Sequence, residues 1–96
     1  MTDGEREIAI SRLGMECIDL GCVYRDLGRA LGAFGARLHS TRPDECERFL
    51  ARFRATAARA DARAAKIEDE IREANRGLPS DGPDKWTVDL DKLGSR

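Results

Sequence analysis

The side chains that could carry chemistry are few. Histidine occurs once, at position 39, and cysteine three times, at 17, 22 and 46. Nucleophilic catalysis needs a nucleophile, a base and a group that orients the base, and one histidine cannot supply a Ser–His–Asp or Cys–His set together with its supports. His39 and Cys46 have the donor types of a zinc site, but such a site needs two more ligands that the sequence does not place. The glycines form no phosphate-cradling loop, because they recur every seventh residue inside a helical pattern. The expected protein is therefore not an enzyme, with no catalytic residue, no metal ligand and no cofactor. One charged row remains: Arg48, Arg52, Arg59, Arg63 and Lys66 lie at helical spacing and could contact nucleic-acid phosphates, although a solvated arginine-rich helix face has the same spelling.

Charge over the whole chain nearly cancels, with 17 Lys and Arg against 18 Asp and Glu in 96 residues, so no global field draws it to nucleic acid. Divided along the chain, it does not cancel. Residues 1–24 carry two basic and five acidic groups (−3), residues 25–66 ten and five (+5), and residues 67–96 five and eight (−3). If the chain folds back near its middle, the turn half is positive and the open half negative. Two such dipolar hairpins laid antiparallel would match plus to minus in a four-helix bundle.

The element that must position everything else is Leu13 to Ser40, written as four sevens: LGMECID, LGCVYRD, LGRALGA, FGARLHS. Leu13, Leu20, Leu27 and Phe34 alternate with Cys17, Tyr24, Leu31 and Leu38 in steps of four and three, the spacing of a packed helical seam. Gly14, Gly21, Gly28 and Gly35 ride beside it. Each glycine costs a helix interior roughly 0.8–1.0 kcal/mol relative to alanine, so with Gly32 the row costs about 4–5 kcal/mol. Such a helix survives when packing compensates, and a glycine row lets a neighbouring backbone come close. Arg25, Asp26 and Arg29 interrupt the stretch, and no run of apolar residues is long enough to span a membrane.

Thr2 and Glu5 have capping-box spacing, which predicts a first helix over residues 3–38. Residues 39–43 form the turn, where Pro43 disfavours helix at Arg42 and Ser40 or Thr41 can cap the next helix. That second helix is expected over 44–76 with Cys46, Leu50, Phe53, Ala57, Ala60, Ala64, Ile67, Ile71 and Ala74 as its seam, and Gly77 as its stop. Helices of this length joined by so short a turn must fold back as an antiparallel hairpin. In the expected register Tyr24 faces Ala57 and Ala58, and Cys17 and Leu20 face Ala60 and Ala64, so large meets small. A second row, Ala51, Ala55, Ala58, Ala62 and Ala65, lies off the seam.

Residues 1–78 thus read as the hairpin and 79–96 as a linker with a short C-terminal tail. Pro79, Ser80, Gly82 and Pro83 punctuate it, and Trp86, Val88 and Leu90 alternate with polar residues as an extended segment does. The fold class is all-α: a long, coiled-coil-like two-helix hairpin with a glycine- and alanine-rich seam and an extended tail. The expected function is protein–protein interaction through helix packing, with itself (a dimer foremost) or with a larger partner. Gly14, Gly21, Gly28, Gly35, Trp86, Val88 and Leu90 are the expected contacts. A compact inhibitor or adaptor, of the kind mobile elements encode, and a nucleic-acid binder are the alternatives. An odd number of cysteines and a polar, acidic N-terminus predict reduced thiols and a cytoplasmic location.

Overall fold

Thr2 opens the first helix as its spacing to Glu5 predicts. Its backbone is extended, its hydroxyl oxygen accepts the Glu5 amide at 3.2 Å, and the hydroxyl donates to Glu5 Oε1 at 3.0 Å. From there the computed structural model, which describes residues 2–78 and 90–93, runs as a single helix, α1, over Asp3–Ala36. The helix stops two residues before the expected boundary: Leu38 belongs to a 3-10 turn, Leu38–Ser40. The hydroxyls of Ser40 and Thr41 both donate to the Arg37 carbonyl, at 3.2 and 2.5 Å. They therefore close the end of α1 and do not cap the next helix, as the sequence had suggested.

The cause is Pro43. Its ring holds Arg42 in extended backbone (φ −69°, ψ 148°), so Arg42 becomes the capping residue, without a side-chain cap bond, and Pro43 takes the first helical position. Helix α2 then runs over Pro43–Ala74. Asp44 lies in its first turn and gathers Arg42 at 3.2 Å and Arg48 at 3.4 Å. The helix ends at Ala74 with Asn75 as its cap, earlier than expected, and the left-handed step that turns the chain away is made by Gly77 at φ +84°. A one-turn helix, α3, covers Leu90–Leu93. Among the described residues there is no strand, and Leu90 sits in this helical turn rather than at the end of an extended run. Pro79, Trp86 and Val88 lie outside the described residues.

α1 and α2 pack antiparallel as a hairpin 56 Å long. Arg12 faces Glu70 at 3.5 Å, Arg6 donates to Asn75 Oδ1 at 2.8 Å, and the Phe34 and Phe49 rings stack at 4.3 Å. Tyr24 bonds Asp61, about one helical turn beyond the alanines it was expected to face.

The seam itself is rotated from the expected one. Leu13 and Leu20 are buried and Leu27 and Phe34 half-buried, as predicted, but the half-buried positions between them are Glu16 and Val23, and Ala30, next in the series, is exposed and borders a hollow with Phe49 and Phe53. Cys17, Tyr24, Leu31 and Leu38 are exposed, Tyr24 at 39% and Leu31 at 43%. The helix takes steps of three then four where four then three was expected. In α2 Leu50 likewise gives way to Phe49, and the rest of the expected seam holds. Volume explains the choice. The middle of α2 presents Ala57, Ala60 and Ala64, which draw the helices too close for a tyrosine but admit Val23. At the turn end Ala30 leaves room for Phe34, Phe49 and Phe53, which stack in sequence at 4.3 and 6.0 Å. The result is a thin core of Leu13, Leu20, Ala60 and Ile67, flanked by Ile10, Val23, Leu27, Ala64 and Ile71.

Candidate helix-docking face

The rotation of the seam has one large effect: a row of apolar side chains that the sequence assigns to the core is left on one face of the hairpin. Cys17, Gly21 and Tyr24 from α1, with Ala64, Ile71 and the edges of Leu20 and Ile67, line an open groove of about 560 Å³. Leu31 and Leu50 continue the same face toward the turn by heptad spacing. Glu68, which pairs with Arg72, forms the groove's polar rim.

The glycine row belongs to this face. Gly21 lines the groove, and Gly14, Gly28 and Gly35 repeat its angular position at seven-residue intervals. A methyl group placed on any of these four, or on Gly32, would meet nothing within 4 Å. The glycines are therefore not there to let α2 approach α1. They form a shallow, side-chain-free track open to the outside, so the close contact expected of them is not made within the chain.

Tyr24 stands at the groove edge and donates its hydroxyl to Asp61 Oδ1 at 2.6 Å. That bond, reinforced by loss of solvent and by the carboxylate's negative charge, raises the phenol pKa above its usual value, since ionisation would both break the bond and set two anions together. The bond also fixes the tyrosine ring as a wall of the groove. Sequence reasoning placed Tyr24 in the seam and missed Asp61 as its partner.

Of the thiols, Cys17 and Cys22 are exposed and Cys46 half-buried, all free. Cys17 was expected in the seam and instead borders the groove; Cys22 points away from the seam as expected. Among the described residues no three His, Cys, Asp or Glu side chains converge where an ion could be held, and no helix is long and apolar enough to cross a membrane.

The basic row is split over the opposite side of the hairpin. Arg48 and Arg52 border a hollow of about 450 Å³ with Phe49, Phe53 and Glu45, while Arg63 and Lys66 flank Glu16 in a smaller one. Arg48 pairs with Asp44 and Arg59 donates to Thr56 Oγ1 at 3.2 Å. Arg52, Arg63 and Lys66 make no ion pair among the described residues. Acids stand within the row at Glu16 and Glu45, so it does not make an unbroken positive surface. The exposed alanine row of α2 (Ala51, Ala55, Ala58, Ala62, Ala65) lies off the seam as expected. Leu90 is exposed at 75%, and Trp86 and Val88, the other expected tail contacts, lie outside the described residues. Comparison with protein-family models, with curated proteins and with solved structures gave no match.

Proposed function

We propose that the protein is a non-enzymatic interaction module that docks another helix onto the glycine-lined face of its hairpin. One observation carries this reading. α1 bears five interior glycines whose cost, about 4–5 kcal/mol relative to alanine, is offset by no contact inside the chain. The hairpin has little to set against that cost: among the described residues, only Leu13, Leu20, Ala60, Ile67 and Ala74 are buried. Glycine repeated at one angular position, beside exposed Cys17, Tyr24 and Leu31, serves a purpose if a backbone from outside lies in the track. Small-residue rows of this kind allow helices to approach closely enough for backbone-to-backbone packing.

The two exposed thiols provide a test that works whatever protein occupies the face. Cys17 borders the groove and Cys22 does not. In intact cells a membrane-permeant maleimide should label Cys22 readily and Cys17 at least about tenfold more slowly, whereas in dilute purified protein the two rates should converge. Gly28→Leu, which fills the track without touching either thiol, should release Cys17 to labelling in cells. Equal labelling of the two thiols in cells would mean that the face is bare where the protein works, and the reading would fail.

A further inference from the structure

The partner that best fits this face is the chain itself. We propose that two copies stack glycine face on glycine face, antiparallel, with the two-fold axis crossing α1 beside Gly21. The proposal rests on the docking face described above and names its occupant.

Three features point to a second copy. The first is area. The hairpin is 56 Å long and two helices wide, so each copy offers on the order of 1,000 Å² on this face, above the roughly 800 Å² per partner of a standard stable interface. The second is charge. Within the hairpin the turn half, residues 25–66, carries +5, and the two stretches of the open half carry −3 (residues 1–24) and −2 (residues 67–78, four acidic and two basic), so a parallel stack would set like against like and an antiparallel one sets plus against minus.

The third feature is the symmetry of the face about its middle. Gly14 and Gly28 lie seven residues either side of Gly21. An axis at Gly21 therefore lays Gly14 of one copy over Gly28 of the other, so three of the four track glycines meet glycine, while Gly35 lies over Glu7. On α2 the level of Gly21 is marked by Asp61, held by Tyr24. Arg54 and Glu68 lie seven residues either side of Asp61, both exposed and on the same line of the helix. The same axis brings Arg54 of each copy against Glu68 of the other. Arg54 makes no ion pair among the described residues, while Glu68 already holds Arg72 and has a second carboxylate oxygen to share. The two Asp61 carboxylates approach each other near the axis, a like-charge cost that the two Arg54–Glu68 pairs and the Tyr24 hydroxyls offset.

The arrangement is tested by cross-linking in a chain with Cys17, Cys22 and Cys46 changed to serine. Gly21→Cys should form a disulfide with itself under mild oxidation. Gly14→Cys and Gly28→Cys should each fail to do so alone, their counterparts lying about 20 Å apart along the axis, and should join when mixed. Arg54→Glu and Glu68→Arg should each raise the dimer Kd about tenfold, and the double swap should restore it. A Gly14→Cys chain that closes on itself would show a same-end stack, and a double swap that restores nothing would place the charged rims elsewhere; either overturns the proposal. So does sedimentation as a monomer at about 100 µM. If Cys17 is nonetheless shielded in cells, the docking face stands and its occupant is a different protein; if Cys17 is also unshielded there, both fail.

Discussion

Replacing Gly21 by alanine or leucine tests the proposed docking, because the proposal gives the same substitution opposite effects in the free and the docked chain. In the single chain a side chain at position 21 meets nothing within 4 Å, so only the helix propensity changes. Gly21→Ala should then stabilise the isolated hairpin by about 0.8–1.0 kcal/mol, and leucine by nearly as much. For a chain of this size that raises the melting midpoint by roughly 4–8 °C. In the docked state the added side chain stands where another backbone must lie, and overpacking there costs about 1–3 kcal/mol, more for leucine than for alanine. Circular-dichroism melts over a hundredfold range of concentration read both effects. If the chain docks as proposed, the natural protein should melt higher as concentration rises. Gly21→Leu should melt higher than the natural chain when dilute and should lose the concentration dependence. If it melts higher at every concentration and keeps the dependence, the track faces water in both states and the reasoning from the glycine row is wrong.

Other measurements probe the seam, the tyrosine and the arginines. Leu20→Ala, in the buried seam, should cost about 2–5 kcal/mol in the hairpin, while Leu31→Ala should cost the dilute chain under about 0.5 kcal/mol; urea unfolding of both checks the observed rotation of α1 against the four-then-three alternative. The absorbance of Tyr24, the only tyrosine, should titrate above its usual value near 10 and return toward it in Asp61→Asn. Because the folded pKa is the raised one, the Tyr24–Asp61 contribution is complete below pH about 10 and is lost as pH climbs through the folded value, so stability should fall on the alkaline side only. Arg52, Arg63 and Lys66 should give at most weak nucleic-acid binding that disappears between about 50 and 200 mM salt; tight binding that resists salt would shift the functional reading to the basic side.

Most of the architecture was legible because it rests on local rules. Thr2 and Glu5 announce the first helix, Pro43 the second and Gly77 its exit, and two helices of more than thirty residues joined by a short turn have one way to fold. The angular setting of the helices was not legible from periodicity. Leu13–Cys17–Leu20 and Leu13–Glu16–Leu20 are both seams at heptad spacing, and they differ by a rotation of about 50° that no hydrophobic count along one helix can decide. Cys46–Leu50–Phe53 and Cys46–Phe49–Phe53 pose the same ambiguity in α2. Side-chain volume across the pair resolves it. An alanine-rich stretch opposite Val23 and Tyr24 admits the smaller residue, and a small residue at Ala30 opposite Phe49 and Phe53 admits their rings and that of Phe34 beside it. The signal that could have found Phe49 was therefore size, since a phenylalanine buries more surface than the leucine beside it.

That rotation is also why the glycines matter. In the four-then-three setting Cys17, Tyr24 and Leu31 would lie between the helices and the glycine row would stand alone on a mostly polar surface, a poor helix and nothing more. In the observed setting the row is joined by those three side chains, by Leu50 and by the exposed edges of Leu20 and Ile67, and the combination is an apolar groove with a flat floor. Hydrophobic drive alone would be met by leucines at 14, 21, 28 and 35, which would also improve the helix. The absence of any side chain along the whole track suits the proposed docking, in which the distance between backbones matters more than the amount of buried surface. Under the proposed docking, the partner is another close-packing backbone with small residues of its own at matching intervals, a condition that a second copy of α1, turned about Gly21, meets at Gly14, Gly21 and Gly28.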